Sequence, residues 1–188
     1  MPRILIFFGT TDGHTAKVAH VLGENLQNAG ATVHIVDAGA GHSDPRPRDY
    51  DAVIVAASIH ISAYQPSVSR WVRTHNQDLS GMPTAFLSIC LGVLQPEPEV
   101  QKELTRIMEK FFASVGWRPT VSRSVAGALL YTRYGWLKRW MMHRMSRKAG
   151  VETDTSRDYE YTDWGELRAL AESFLERVER SRRVLALR

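Results

Sequence analysis

Apolar positions along this chain alternate between two periods. Residues 4–8 form an unbroken apolar run of strand length, and Val18, Ala19, Leu22 and Leu26 then recur at helical spacing over 16–26. The alternation repeats down the chain. Residues 31–37, with Val33, Ile35 and Val36 set apart by polar neighbours, read as a second strand, 51–57 as a third, 84–90 as a fourth and 121–128 as a fifth. Between them, Pro66 suits the first position of a helix that carries Val68, Trp71 and Val72. Residues 99–115 place Leu104, Ile107, Met108, Phe111 and Phe112 on one side of another helix, and Gly30 and Gly116 are placed to end helices. The last helix, 164–180, opens on the capping pattern Asp163-x-x-Glu166 and buries Leu167, Leu170, Ala171, Phe174, Leu175 and Val178. Residues 38–49, rich in glycine and proline, stand as a loop where a helix would fit the rhythm. Strands apolar on both sides, each followed by a helix, predict one α/β domain over 1–188 with a parallel, doubly wound sheet.

That rhythm leaves residues 129–163 over, more than thirty where a handful would connect the fifth strand to the last helix. Tyr131, Tyr134, Trp136, Trp140 and several methionines make this insert too apolar for disorder. Charge separates it further. No acid lies from Lys110 to Val151, yet nine bases do: Lys110, Arg118, Arg123, Arg133, Lys138, Arg139, Arg144, Arg147 and Lys148. The other fifteen bases are outnumbered by 20 acids. A localised basic patch implies an anionic partner. On a helical wheel over 134–148, Trp136, Leu137, Trp140, Met141 and Met145 fill about half the circumference, and Arg144, Arg147 and Lys148 enter the same half. Tryptophan suits the membrane interface and long bases snorkel to phosphates, so peripheral contact with an anionic membrane surface is expected. The competing reading packs the tryptophans on the sheet rim and leaves the arginines solvated. No nucleic-acid motif is present, and nucleic acid is not an expected partner.

The single cysteine, Cys90, excludes an internal disulfide and a cysteine-based zinc site, and it suits a reducing compartment. The apolar runs 53–59 and 85–94 are far too short to span a bilayer, and residues 1–8 are too short for a signal peptide, so a cytoplasmic chain is expected. Cys90 ends a strand and reads as a small core residue; a redox role would need a second thiol or an exposed thiolate.

The candidate chemistry begins at Thr10-Thr11-Asp12-Gly13-His14-Thr15, the turn from the first strand into the first helix. Such a turn offers a phosphate backbone N–H donors, hydroxyls and the positive end of a helix dipole, with Gly13 free to take a positive φ. It is neither a P-loop, since no Lys-Ser/Thr follows the glycine, nor G-x-G-x-x-G. The competing reading is an ordinary βα turn capped by Thr or Asp. Ligands of a doubly wound sheet bind outside the carboxyl ends of its strands. Segments 10–15, 58–64, 89–92 and the insert all leave strands at that edge and are therefore expected on one rim. Asp12 reads as a helix cap, and His14 either donates to a phosphate or faces solvent.

The Thr10-x-Asp12-Gly13-x-Thr15 loop resembles the FMN-phosphate loop of flavodoxins. With Ala57-Ser58-Ile59, Ala126-Gly127-Ala128-Leu129, Tyr131-x-Arg133-Tyr134-x-Trp136, Glu152-Thr153-Asp154-Thr155 and Tyr161-Thr162-Asp163-Trp164, nearly the whole chain resembles the flavodoxin-like, quinone-dependent protoporphyrinogen oxidases of bacteria. The resemblance implies a flavodoxin-like five-stranded sheet in the order 2-1-3-4-5 with a long insert after the fifth strand. It implies FMN as cofactor, its phosphate held by residues 10–15. The isoalloxazine ring would be flanked by the loops carrying Ser58, Ile59 and His60 and carrying Ser88, Ile89, Cys90 and Leu91, with Asp154 a further cofactor residue. His60 and Tyr64 would either pack on the ring or belong to a loop closed on itself. The implied reaction is oxidation of protoporphyrinogen IX to protoporphyrin IX in haem biosynthesis, with electrons passing to menaquinone or ubiquinone at the inner face of the cell membrane. The flavin is then the acting group, and no side chain is assigned as acid or base. Tyr131, Arg133, Trp136, Arg139, Trp140 and Arg144 would meet substrate or membrane, Arg133 pairing with a propionate or, alternatively, with an acid such as Asp154. A flavodoxin-like electron carrier and a flavin-linked quinone reductase are the alternatives; no metal is expected.

Overall fold

The structure is a computed structural model that describes residues 1–41, 44–130 and 157–186. Five parallel strands form its centre: β1 (Arg3–Gly9), β2 (Thr32–Asp37), β3 (Ala52–Ser58), β4 (Thr84–Cys90) and β5 (Val121–Ala126), in the order β2-β1-β3-β4-β5. This is the order and orientation expected from the sequence. Ile6 stands level with Ile35 on one side and Ile54 on the other, so the most apolar stretches lie side by side.

Period-two alternation in β1, β3 and β4 divides the core into two layers. Ile4, Ile6, Phe8, Ile54 and Leu87 meet α1 (His14–Asn28) and α5 (Trp164–Ala186) through Val18, Leu22, Leu26, Leu167, Phe174 and Val178. Leu5, Phe7, Val53, Val55 and Phe86 meet α2 (Pro66–Thr74) and α4 (Pro98–Val115) through Val68, Trp71, Ile107, Phe111 and Phe112. Aromatic rings fill the second layer, with Phe7 and Trp71 stacked at 4.1 Å between centroids. Helix α1 ends as its sequence implies: Gly30 takes φ 98°, its N–H reaches the Gln27 carbonyl, and the Ala31 N–H reaches that of Leu26. At the start of α5, Asp163 Oδ1 accepts the N–H groups of Gly165 and Glu166, both at 2.9 Å.

The structure departs from the sequence reading in three places. A short helix α3 (Asn76–Ser80) follows α2, and α5 continues to Ala186, past the expected end near residue 180, where Arg182 pairs with Asp51 at 3.2 Å. The fifth strand stops at Ala126 and not at 128. The chain bends at Gly127, whose N–H turns to the Cys90 carbonyl at 3.2 Å. Beyond it β6 (Ala128–Leu129) pairs antiparallel with β7 (Tyr159–Glu160), a two-stranded ribbon that joins the ends of the insert. Leu129 is fully buried there, packed against Leu91, Leu130, Tyr159 and Tyr161. The helix expected over 134–148 lies outside the described residues.

Candidate functional site

The sheet reverses its winding between β1 and β3: α1 leaves β1 for one face, and α2 leaves β3 for the other. The turns that follow these strands diverge and leave a crevice at the carboxyl edge, the place where ligands of such sheets bind. Its first wall is the turn from Gly9 into α1. Thr10 Oγ1 accepts the Gly13 N–H at 2.9 Å, closing the turn, and Gly13 caps α1 at φ 91°. No side-chain capping bond is seen at this helix start among the described residues, and the Gly13 N–H goes to Thr10 and not to Asp12, the cap that the sequence implied. The threonine three residues before the cap folds the turn first. The first-turn N–H groups of α1 consequently lack partners within the helix and face the end of the crevice, where the dipole is positive. Thr15, in the first turn of α1, is 1 % exposed.

The second wall follows β3. Gln65, just before Pro66 opens α2, reaches across the crevice: its Nε2 donates to Ser58 Oγ at 2.7 Å and to Thr11 Oγ1 at 3.2 Å. Its Oε1 is buried without a hydrogen-bond partner. Gly9 makes this approach possible, since a Cβ there would stand 2.6 Å from Val68 Cγ2 and 3.1 Å from Gln65 Oε1. The loop beyond Ser58 closes on itself. His60 and Ala63 exchange backbone hydrogen bonds at 2.8 and 3.0 Å around Ile61 and Ser62, both at positive φ. Tyr64 turns inward, lies edge-on to Phe86 and Phe111, and donates its hydroxyl to Ser88 Oγ at 2.8 Å. Burial pushes its phenol far above the ordinary range. Tyr64 is thus a core residue, and the backbone of the loop closes on itself at His60 and Ala63.

Ser88 and Ile89 also turn their side chains into the core, so β4 meets the rim through its backbone: the Ile89 carbonyl takes the Ile59 N–H at 3.0 Å. Burial raises the Cys90 thiol above its usual range, which keeps it protonated and suits the core role expected of it. Leu91 starts a turn of 3₁₀ helix (Leu91–Leu94) and packs against Leu129.

His14 neither faces solvent nor points to the crevice, and both readings for it are corrected. It is 8 % exposed, and its Nε2 lies 2.7 Å from Thr162 Oγ1, beyond the far end of the insert. The Thr162 hydroxyl donates its one proton to the Ala126 carbonyl at 2.7 Å. His14 Nε2 must therefore be the donor, which fixes the tautomer. Nδ1 faces Glu160 Oε2 at 3.9 Å, and that carboxylate binds Lys17 Nζ at 2.6 Å and Trp164 Nε1 at 3.0 Å. Burial lowers the His14 pKa, against the pull of Glu160 and with the push of Lys17. Burial works to raise the Glu160 pKa, but hydrogen bonding and charge from Lys17 outweigh it and leave it low.

Thr10 and Gly13 are thus joined within the β1–α1 turn, Gln65 ties Thr11 to Ser58 at the end of β3, and Thr15 is buried in the first turn of α1. Asp12 stands in the turn, His60 in the closed loop, and Ile59, Ser88, Ile89, Cys90 and Leu91 line the rim through backbone or core contacts. Tyr131, Arg133, Trp136, Arg139, Trp140, Arg144 and Asp154 lie outside the described residues. Sequence reasoning passed over Gln65, Lys17 and Glu160. The pairing of a buried amide with an N1 proline is a weak signal, and nothing local announces contacts across 143 residues. Among the described residues no group of three His, Cys, Asp or Glu is arranged to hold a metal. A hollow of about 530 Å³ lies along β5 against α5, lined by Leu94, Val125, Tyr161 and Leu170 among others.

A family profile described as a flavodoxin domain matches residues 5–156. Two relatives named protoporphyrinogen IX dehydrogenase (quinone) resemble the chain closely. That of Escherichia coli K12 is 34 % identical over 167 residues, 86 % of this chain and 88 % of the relative. That of Leishmania major is 31 % identical over 176 residues, 92 % of this chain and 74 % of the relative. The crystal structure of oxidised flavodoxin 1 from Bacillus cereus superposes with a TM-score of 0.57 over 93 % of this chain and 97 % of that one, at 10 % identity, a likeness of fold. The chain belongs to the flavodoxin-domain family and, within it, to the family of these protoporphyrinogen IX dehydrogenases.

The buried His14 sets a pH dependence. Its folded-state pKa lies below the unfolded value near 6.5, so protonation favours unfolding, and its contribution to stability is present above that value and lost as pH falls below it. Glu160, whose folded-state pKa is lowered, contributes stability that is fully present above its unfolded value near 4.5 and is lost only below it, so it does not change across this window. Between pH 7.5 and about 5.5 the wild type should lose more thermal stability than His14→Gln. Melting curves of both proteins at the two pH values check this; equal losses would contradict it.

Proposed function

We propose that the chain is an FMN-dependent oxidoreductase that converts protoporphyrinogen IX to protoporphyrin IX and passes the electrons to a quinone. The crevice carries this reading, together with the names of its relatives. The α1 terminus offers backbone donors to an anion with no cationic side chain in residues 10–15, which suits a phosphate monoester held by neutral donors and a helix dipole. The Thr10 and Thr11 hydroxyls each accept a hydrogen bond from protein and keep their own protons to donate. Thr15 adds a third hydroxyl. The orphaned Gln65 Oε1, an acceptor over Gly9, fits a ligand that brings a donor, as the hydroxyls of a ribityl chain do.

When bound, the isoalloxazine ring supplies reversible two-electron chemistry. The protein holds and shields it: Ser58 and the closed 60–63 turn stand on one side, and the Ile59–Ile89 and Gly127–Cys90 backbone bonds fix the distance between the rim loops. The substrate is a wide apolar macrocycle with two propionates. Arg133, with Tyr131, Tyr134 and Trp136, follows β6 in the chain, and its cation suits a propionate by a charge-assisted bond. The basic run that includes Arg139, Trp140 and Arg144 supports placement on an anionic membrane surface, at its cytoplasmic face, where menaquinone or ubiquinone dissolves. No helix among the described residues is long and apolar enough to cross a membrane.

Two outcomes follow. Loaded with FMN and kept anaerobic, the protein should lose its flavin colour on addition of protoporphyrinogen and regain it with a quinone. A protein that serves only as an electron carrier would keep its colour through the first addition. Thr15→Val should bind FMN about 1–3 kcal/mol more weakly through loss of a buried hydroxyl donor, measured by quenching of flavin fluorescence; unchanged affinity would remove Thr15 from the cradle.

Membrane contact has its own check. Vesicles with anionic lipid should retain the protein at low salt and release it as ionic strength rises past the range where the screening length falls to about 8–10 Å. Replacing Lys138, Arg139, Arg144 and Arg147 by Gln should abolish retention with FMN still bound; equal binding to neutral vesicles would contradict the electrostatic account.

A further inference from the structure

Helix α1 serves two sites with its first turn. Its backbone N–H groups face the crevice, while its side chains His14 and Lys17 face away, into the base of the β6–β7 ribbon. His14 Nε2 donates to Thr162 just after β7, and Thr162 donates to Ala126, the last residue of β5 before the chain enters β6. Lys17 binds Glu160 within β7 and lies 5.2 Å from the centre of the Trp164 ring, which in turn binds the same carboxylate. The ribbon is held as well by a small core around Leu129 and by the Tyr161 N–H to Gly127 carbonyl bond at 3.1 Å. Two-stranded ribbons are marginal unless something holds them. Here α1 does.

We propose that His14 is a positioning residue that couples occupancy of the crevice to the β6–β7 ribbon: a phosphate bound at the α1 N-terminus steadies the ribbon, and a steadied ribbon tightens the hold on the phosphate. The inference rests on the FMN reading above. Its physical basis is that one helical turn cannot be fixed by a ligand on one side while its side chains stay loose on the other. By linkage the effect is equal in both directions. His14 touches neither cofactor nor substrate; it acts through Thr162. The groups that face its ring are Glu160 from β7, Lys17 from its own helix and the Trp164 ring, tilted at 6.4 Å.

Hydrogen exchange followed by mass spectrometry, on the full chain with and without saturating FMN, tests this. In the wild type, FMN should slow exchange in 159–164 about tenfold, since local opening of the ribbon becomes tied to opening of the crevice. His14→Gln, which keeps an N–H donor near the Nε2 position, should preserve that protection. His14→Ala and Thr162→Val should still bind FMN, several-fold more weakly, and lose the protection of 159–164 while keeping protection in 10–18. The two substitutions should not add, because they break one link. Protection of 159–164 that persists in both variants, or that FMN fails to produce in the wild type that binds it, would overturn the coupling. Failure of the wild type to bind FMN at all would instead overturn the cofactor reading, and this inference with it.

Discussion

A helix whose first-turn N–H groups open onto a crevice must be given an acceptor, and the arrangement of this protein turns on that requirement. Nothing in α1 supplies one: Gly13 stands at the cap, Thr10 has closed the turn on the Gly13 N–H, and no side-chain capping bond is made among the described residues. Around that end the rim is stitched into a circuit. Gln65 joins the first turn to the loop after β3, the Ile59 N–H joins that loop to β4, the Gly127 N–H joins β4 to the ribbon, and Thr162 with His14 returns to α1. Each link is an ordinary hydrogen bond of modest net worth. Together they leave the loops little freedom to close over the helix end and satisfy it from within.

The circuit also explains features that packing alone leaves odd. Ile61 is β-branched, sits at φ 48° and is fully exposed, a conformation that costs about 1–3 kcal/mol. It lies between the reciprocal backbone bonds that His60 and Ala63 exchange. Gly9 serves another link of the circuit, since a Cβ there would drive Val68 and Gln65 away. Gln65 Oε1 is the clearest sign that the rim is built for something further, because an acceptor buried without a donor is expensive unless a ligand completes it.

The sheet was legible in the sequence because its signal is local and repeated. Runs such as 4–8 and 51–57 can only be strands buried on two faces, and Gly30 and Gly116 end helices by a backbone conformation that other residues avoid. The phosphate turn was legible for the same reason: hydroxyls and a glycine between a strand and a helix. The contacts of its side chains were not. Asp12 looked like the cap because it has the right chemistry at the right position, yet Thr10 reaches the Gly13 N–H. His14 looked like a ligand or a solvated residue because its partner, Thr162, is 148 residues away and is brought close only by the return of α5 to the α1 face. Tyr64 could be read as packing on a ring or as part of a self-closed loop, and it is a core residue, edge-on to Phe86 and Phe111. Pattern identifies which elements exist; the competition among partners is settled only once they pack.

The central claim is that the α1 terminus and its hydroxyls bind the phosphate of a flavin mononucleotide. Titration of the purified, flavin-free protein with FMN and, separately, with riboflavin tests it most directly, because the two ligands share every atom except the phosphate. The account predicts saturable quenching by one FMN per chain, with riboflavin bound about a hundredfold or more weaker, as loss of several charge-assisted bonds implies. Equal affinity for the two flavins would contradict it.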